Sequence, residues 1–298
     1  MIFKIAWRNI WRQKTRSIVI IASIAVGIWA GIMMTGLATG MIESYVSDSI
    51  LDIYSHLQIH HPKFGEEFEL QYKVSTDDHF RNILDKNVDI ANFSERTIVV
   101  GMANTSRNAR SARLVGIDPS KEVEMTSIHK KLKEGEYLNR DDNNKILVSQ
   151  RMADKMNVKL RSKIILTFQD ANADIVASAY RIKGIYQTNN QLFDENHVFV
   201  LKHELDELVY QSESNEVSNE IAIILIDKDE LEMVKSDLLE QFPDLKVESY
   251  KDLSPDINLY ESQIENISII YLVIIMLAHI FGIINTMLMA VLERVREL

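Results

Sequence analysis

Two long apolar runs bracket the chain, and the stretch between them follows the shorter periods of an ordinary folded domain. From Ile18 to Leu37 there are 20 residues without a charge, and from Ile267 to Leu292 there are 26, with His279 and Tyr271 the only titratable side chains in the second run. At about 1.5 Å rise per residue, either run in helical form spans the roughly 30 Å hydrocarbon core of a bilayer. The pattern predicts membrane helices at 18–40 and 267–292. A signal peptide is the alternative for the first, since "GLATG" offers small residues where one would be cut. The run is longer than the roughly 7–15 apolar residues such peptides use, which favours a retained helix.

Before the first run, residues 1–17 are amphipathic. Ile2, Phe3, Ala6, Trp7, Ile10 and Trp11 recur at spacings of three and four, with Lys4, Arg8, Arg12 and Lys14 off that stripe. This suits a helix lying at a membrane interface, with Trp7 and Trp11 at headgroup level and Arg8 and Arg12 facing anionic lipid; a plain anchor with no further role reads the same way. Short basic flanks stay cytoplasmic, so the ends (residues 1–17 and 293–298) are expected inside and the intervening residues outside.

Small residues repeat at a spacing of four in both runs: Ser23, Gly27, Gly31 and Thr35 in the first, Ala278, Gly282, Thr286 and Ala290 in the second. Small side chains let helix backbones approach closely in lipid, so each stripe marks a face for another helix, either the other stripe or a helix of another chain. Apolar positions at 42, 46, 50 and 53, and at 257, 260, 264 and 267, extend both helices as stalks over 41–56 and 253–266.

Residues 57–252 read as α+β. "SHLQIHH" is an alternating strand and "DDHFRNILDK" a helix capped by Asp77 or Asp78. Strands near 95–103 and 111–117 form a hairpin, and "KILVSQRMADKMNVKLRSKIILTF" runs strand, helix, strand with Ser149 as cap. "DIVASAYRIKGIYQT" and "HVFVL" are strands and "KHELDELVY" is a helix. "NEIAIILI", "KDELEMVKSDLLEQF" and "LKVESY" form a β-α-β unit. Six to eight strands in one or two small lobes are expected. The fold class is thus a membrane protein with two transmembrane α-helices flanking an α+β extracytoplasmic domain.

Charge sharpens this picture. Apart from the two flanks the chain holds 41 acids against 26 bases, which argues against nucleic acid or anionic lipid as partner of the outer domain. There is no Cys, so neither disulfides nor thiolate metal sites are available, as suits a bacterial envelope protein with a sizeable core. No GxxxxGK[ST], HExxH, calcium loop or nucleophile elbow occurs. His60 and His61 are adjacent on a strand and point to opposite faces, which disfavours joint metal ligation. His279 has no acidic partner in either run and reads as a polar contact between helices. No catalytic residue, metal site or cofactor of this chain's own is expected.

"AWRNIWRQKTRS", "HLQIHHP", "LVGIDPSKE", "LKEGEYL", "ILVSQRMADKMNV" and "INTMLMAVLERVREL" occur in an order that resembles the permease subunits of the FtsX-like / MacB-like ABC transporter family, nearest in style to the lipoprotein-releasing LolC/LolE branch. The resemblance implies a MacB-type periplasmic core domain inserted between membrane helices one and two. It also implies a bacterial inner-membrane location, a second permease copy or paralogue as dimer partner, and a separate cytoplasmic ABC ATPase that binds ATP and magnesium. Glu293, Arg294, Arg296 and Glu297 match the family's ATPase-coupling segment; two interfacial arginines anchoring a helix are the alternative. Two further membrane helices of the family pattern are not in this sequence, which is therefore expected to be part of a longer permease. The family's Gly-Asp after the helix at 150–157 is here Arg161-Ser162, which puts the turn geometry there in question.

The resemblance implies mechanical work: ATPase closure pushes on the coupling segment, and the stalks relay movement to an outer domain that handles a substrate, in that branch an acylated lipoprotein. Other branches export peptides or macrolides or regulate cell-wall hydrolases. A two-pass sensor with an outer ligand-binding domain shares the topology and stands as the rival.

Overall fold

The computed structural model describes residues 14–64, 70–210, 216–254, 257, 259, 269–284 and 288. The chain divides into two compact units, Tyr45–Pro255 and Met1–Ser44 with Asp256–Leu298. In chain order the elements are α1 (Lys14–Ser49), a π-helical turn (Ile50–Tyr54), β1 (Leu57–His60), β2 (Val74–Ser75), α2 (Asp78–Lys86), β3 (Ile90–Asn104), β4 (Ala109–Ile117), α3 (Pro119–Met125) and β5 (Leu132–Gly135). They continue with β6 (Lys145–Ser149), α4 (Gln150–Met156), β7 (Lys163–Gln169), β8 (Ile175–Tyr186), α5 (Gln191–Asn196), β9 (His197–Leu201), α6 (Lys202–Tyr210), β10 (Val217–Ser218), β11 (Glu220–Leu225), α7 (Leu231–Gln241), β12 (Lys246–Ser249), α8 (Tyr250–Leu253) and α9 (Ile269–Ile284).

Local chemistry sets the short helices. Asp77 caps α2 by accepting from the Phe80 amide, and Asp118 caps α3 with Pro119 in its first turn. Ser149 caps α4, whose far end closes on Asn157 in the left-handed region. The 15-residue β3 organises the larger unit, because its two halves pair with different partners. Residues Ile90–Arg96 run against β11, and Thr97–Asn104 run against β4, with the last four also against β7.

Following those pairings, β3, β4, β9, β6, β8 and β7 return to β3 and close a ring. Closure leaves these strands no open edge. Inside lie Val99, Leu114, Ile146, Val148, Ile164, Leu166, Phe168, Tyr180, Ile182, Val198 and Val200, all buried; each such side chain removed from water is worth about 2 kcal/mol. Gly101 is where β3 and β7 come closest, since a Cβ there would lie 2.5 Å from the Thr167 carbonyl oxygen.

The first half of β3 belongs to a second lobe, with strand order β12-β1-β11-β3. All four β1 residues are buried, so the alternating strand expected from "SHLQIHH" is a central strand covered on both sides. Leu57 faces Ile223, and Ile59 lies beside Ile221 and Val247, on the side where α7 packs on β12 and the rings of Phe80 and Phe242 meet at 4.6 Å. Among the described residues there are twelve strands, more than the six to eight expected. The excess comes from short segments such as β2, β5 and β10, which carry no period of their own and exist through pairing.

The larger unit begins at Tyr45, inside the segment expected as a stalk over 41–56. Val46, Ser49, Ile50, Asp52 and Ser55 are buried in it, and regular α-helix gives way at Ile50 to the π-helical turn. The helix over Ser17–Tyr54, whose residues up to Ser44 belong to the other unit, contains an apolar window long enough to cross a membrane, and α9 is a shorter apolar helix. Ile18, Trp29 and Ile32 of α1 and Leu272 and Phe281 of α9 expose most of their surface.

Candidate functional site

Beneath the apolar core of the second lobe, the opposite face of the sheet is charged, and strand register alone shows why. Lys246 on β12 pairs with His60 on β1, His60 with Glu220 on β11, and Glu220 with Arg96 on β3. The next row holds Glu248, Gln58, Ala222 and Ser94. Further along, Arg113 of β4 sits beside His197 of β9, and Val115 beside Phe199. Residues two apart on a strand share a face, so these rows form one floor.

Arg96 is the centre of this floor. Its guanidinium donates to Glu122 at 2.6 Å and Glu220 at 3.0 Å, and the Ser94 hydroxyl donates to Glu122 at 2.9 Å. Burial by itself would lower the Arg96 pKa, but the two carboxylates outweigh it and hold the group above its ordinary value. Arg113 is lowered by burial, against the pull of Glu220 and Tyr54. His60 Nε2 lies 2.7 Å from Glu248, which also takes the Lys246 ammonium at 2.8 Å. His197 stacks on Phe193 at 4.0 Å and donates through Nδ1 to the Phe193 carbonyl; burial first, then Arg113, push its pKa down to about 3, so it is neutral.

These groups line a cavity of about 420 Å³ within the larger unit. Its other walls are Ile53, Tyr54, Phe64, Ile98, Val115, Phe193 and Phe199, with Asp252 and Leu253 from α8. A cavity of this size with an apolar body and a few converging polar groups is the usual form of a small-ligand site.

Beside the cavity the π-helical turn is fixed by ions. Asp52 accepts the Lys131 ammonium at 2.6 Å and the Ser127 hydroxyl, and the same lysine reaches Asp48 at 3.1 Å. Asn189 donates to the other Asp48 oxygen at 2.6 Å. The end of α1 is thus tied to the residues on either side of β5 and β8.

Of the residues singled out in the sequence, Trp7, Arg8, Trp11, Arg12, Thr286, Ala290, Glu293, Arg294, Arg296 and Glu297 lie outside the described residues. Gly27 lies against His279, whose Nε2 is 3.4 Å from the Ser23 carbonyl, and Gly31 lies against Ile275. Thr35 turns its hydroxyl to the Gly31 carbonyl at 3.0 Å. Ala278 and Gly282 are on the exposed side of α9, with open space where a Gly282 side chain would stand. Among the described residues the α1 stripe therefore meets Ile275 and His279. His60 bonds Glu248 while His61 stacks on Tyr72 at 4.9 Å. Among the described residues no three His, Asp or Glu side chains gather as metal ligands.

The charged floor was not singled out in the sequence. Its only signal is polar residues at a spacing of two inside strands: Gln58 and His60, Ser94 and Arg96, Lys246 and Glu248. That pattern reads as a solvated strand face until something is known to cover it.

Residues 17–241 match the family described as the MacB-like periplasmic core domain. The chain has no match among proteins of curated function. Among solved structures it is similar to the periplasmic region of MacB from Actinobacillus actinomycetemcomitans, at 14% identity over 74% of this chain and 98% of that one, with a TM-score of 0.46. It is also similar to the extracellular domain of the noncanonic ABC-type transporter YknZ from Gram-positive bacteria, at 11% identity over 65% and 99% of the two chains, with a TM-score of 0.44.

Proposed function

The chain belongs to the family of the MacB-like periplasmic core domain, the extracytoplasmic part of MacB/FtsX-like ABC transporter permeases, and on that premise we propose that it couples ATP hydrolysis by a separate cytoplasmic ATPase to movement of its outer domain. The reading rests on the family match over residues 17–241, which takes in the apolar helix as well as the α+β domain. The chain has no nucleotide site of its own in this proposal; ATP and magnesium are held by the partner.

The permease works as a dimer with a second copy or a paralogue, in the inner membrane, with residues 1–17 and 293–298 cytoplasmic and 57–252 periplasmic. Glu293, Arg294, Arg296 and Glu297 form the docking segment for the ATPase. Mixed charge immediately after an apolar run supplies polar contacts for a soluble partner and an interfacial anchor at once. The small-residue face of Ser23, Gly27, Gly31 and Thr35 packs helix on helix, and that of Ala278, Gly282, Thr286 and Ala290 serves a neighbouring helix. The outer domain acts on a substrate already outside the membrane, an acylated lipoprotein to be released from the inner membrane being the example the resemblance favours.

The test is co-purification. Arg294→Glu with Arg296→Glu is expected to remove the cognate ATPase from the purified complex while the chain still inserts in the membrane. Retention of the ATPase by the double variant would remove the coupling assignment.

A further inference from the structure

The end of α1 carries strain that a fixed connection has no reason to keep. Regular α-helix runs from Lys14 to Ser49 and then widens over Ile50–Tyr54, where the Ser55 amide reaches past Leu51 to the Ile50 carbonyl at 2.7 Å. Ser55 stops the turn at φ of 57° and ψ of −174°, a region that glycine alone enters without strain. Its side chain is wholly buried, and among the described residues its hydroxyl has no hydrogen-bond partner. We propose that Ile50–Ser55 is a two-state joint. The π-helical turn exchanges with a turn of α-helix, and the two forms set the end of α1 at two rotations against β1.

One oxygen links the two forms. In an α-helix the Ser55 amide belongs to the Leu51 carbonyl. Here that carbonyl accepts the Ser127 amide instead, at 3.1 Å. A change of form therefore swaps one donor for another at Leu51. Side-chain contacts favour the π form: Lys131 holds Asp52 at 2.6 Å and Asp48 at 3.1 Å, the Ser127 hydroxyl holds Asp52, and Asn189 holds Asp48 at 2.6 Å. Asp48 and Asp52 are four apart and share a helix face, so turning that face away releases these contacts together. The strain at Ser55 opposes them, and the α form relieves it. There is also room for the exchange. Asp52, Ile53 and Tyr54 line the cavity of about 420 Å³, whereas close packing on every side would hold one backbone form.

Recovering one residue of α-helix turns what precedes it by roughly 100° and shifts it about 1.5 Å along the axis. Because α1 is continuous from Lys14 to Ser49, a push or twist along it arrives at this joint. That use rests on the transporter reading. The exchange itself belongs to this chain and is tested without the ATPase, so either idea can fail while the other stands.

The chain has no Cys, so spin labels go only where cysteines are introduced. The full chain in detergent micelles carries Ser47→Cys on α1 with either Asn172→Cys or Met233→Cys on the outer domain, all at exposed positions. Double electron–electron resonance then reads the label-to-label distances. A rotation of roughly 100° moves a label at the helix surface by about 8 Å. The parent is expected to give one main distance per pair. Lys131→Met with Ser127→Ala is expected to raise a second, discrete distance at least tenfold in population in one or both pairs. Ser55→Gly in that background is expected to lower it about tenfold, since glycine enters φ of 57° freely and is the poorer helix former. Asn189→Ala, at an exposed position where folding is least at stake, is expected to raise the second population a few-fold. A single unchanged distance in every variant, a continuous broadening like that of a frayed helix end, or a second population that Ser55→Gly leaves as it was would each overturn the proposal.

Discussion

The imidazole of His279 occupies the space that a side chain on residue 27 would need: a Cβ there would lie 1.8 Å from Cε1 and 2.0 Å from Nε2. Gly27 is therefore required by the ring, and the ring in turn reaches the Ser23 carbonyl. Gly27→Ala is expected to displace His279 and to lower stability by about 1–3 kcal/mol, the usual cost of overpacking. His279→Ala in the same chain is expected to recover most of that loss. Thermal denaturation of both variants in detergent decides it; a Gly27→Ala chain as stable as the parent would mean the two helices do not meet through this pair.

Asp52 is almost wholly buried, and its charge is met by Lys131 and by the Ser127 hydroxyl. Lys131→Met leaves that carboxylate without a counter-ion, at an expected cost of about 2–3 kcal/mol. Adding Asp52→Asn is expected to restore part of it. Equal stability of parent and Lys131→Met in urea titrations would show that the end of α1 is held by packing alone.

His197 gives the larger unit a pH dependence of definite sign. Unfolded, it takes up a proton near its ordinary 6.5; folded, burial and Arg113 delay protonation to about 3. The unfolded state therefore binds more protons between these values, so this contribution leaves stability unaffected above about 6.5 and lowers it as pH falls towards 3. In His197→Gln the slope of unfolding free energy against pH over that window is expected to shrink by about one proton. An unchanged slope would place the acid sensitivity elsewhere.

Arg161 adopts φ of 68°, in the left-handed region, while the Ser162 amide closes the turn on the Lys159 carbonyl at 2.9 Å. The turn is one a glycine enters without strain, and the arginine enters it anyway because its own amide is held by the Ile182 carbonyl at 2.9 Å. Arg161→Gly is expected to stabilise the chain by about 0.5–1 kcal/mol, relief of strain outweighing the added freedom of the unfolded chain. A fall in melting temperature would show that the arginine side chain contributes more than its backbone costs.

Much of the architecture was legible from local signals. Asp77 and Ser149 mark their helix starts because a short side-chain oxygen can serve a free amide three residues on. The β3–β4 hairpin and the turn at Asp170 between β7 and β8 follow from alternating runs broken by polar residues. What local signals do not carry is how a strand is covered. β1 read only as an alternating strand and is central; β3 looked like one arm of a hairpin and serves two lobes. Nor do they show that the stalk read over 41–56 is tied at Asp52 to Lys131, seventy-nine positions away.

The amino-acid order alone set where the apolar runs fall, which segments become helix or strand, and which family's pattern the chain follows, since each depends on neighbours within a few residues. It left open that Lys246, His60, Glu220 and Arg96 share one row, because four strands from distant parts of the chain must pair before those charges meet. Only the folded sheet brings them together over a cavity, where loss of water turns ordinary surface residues into a polar site.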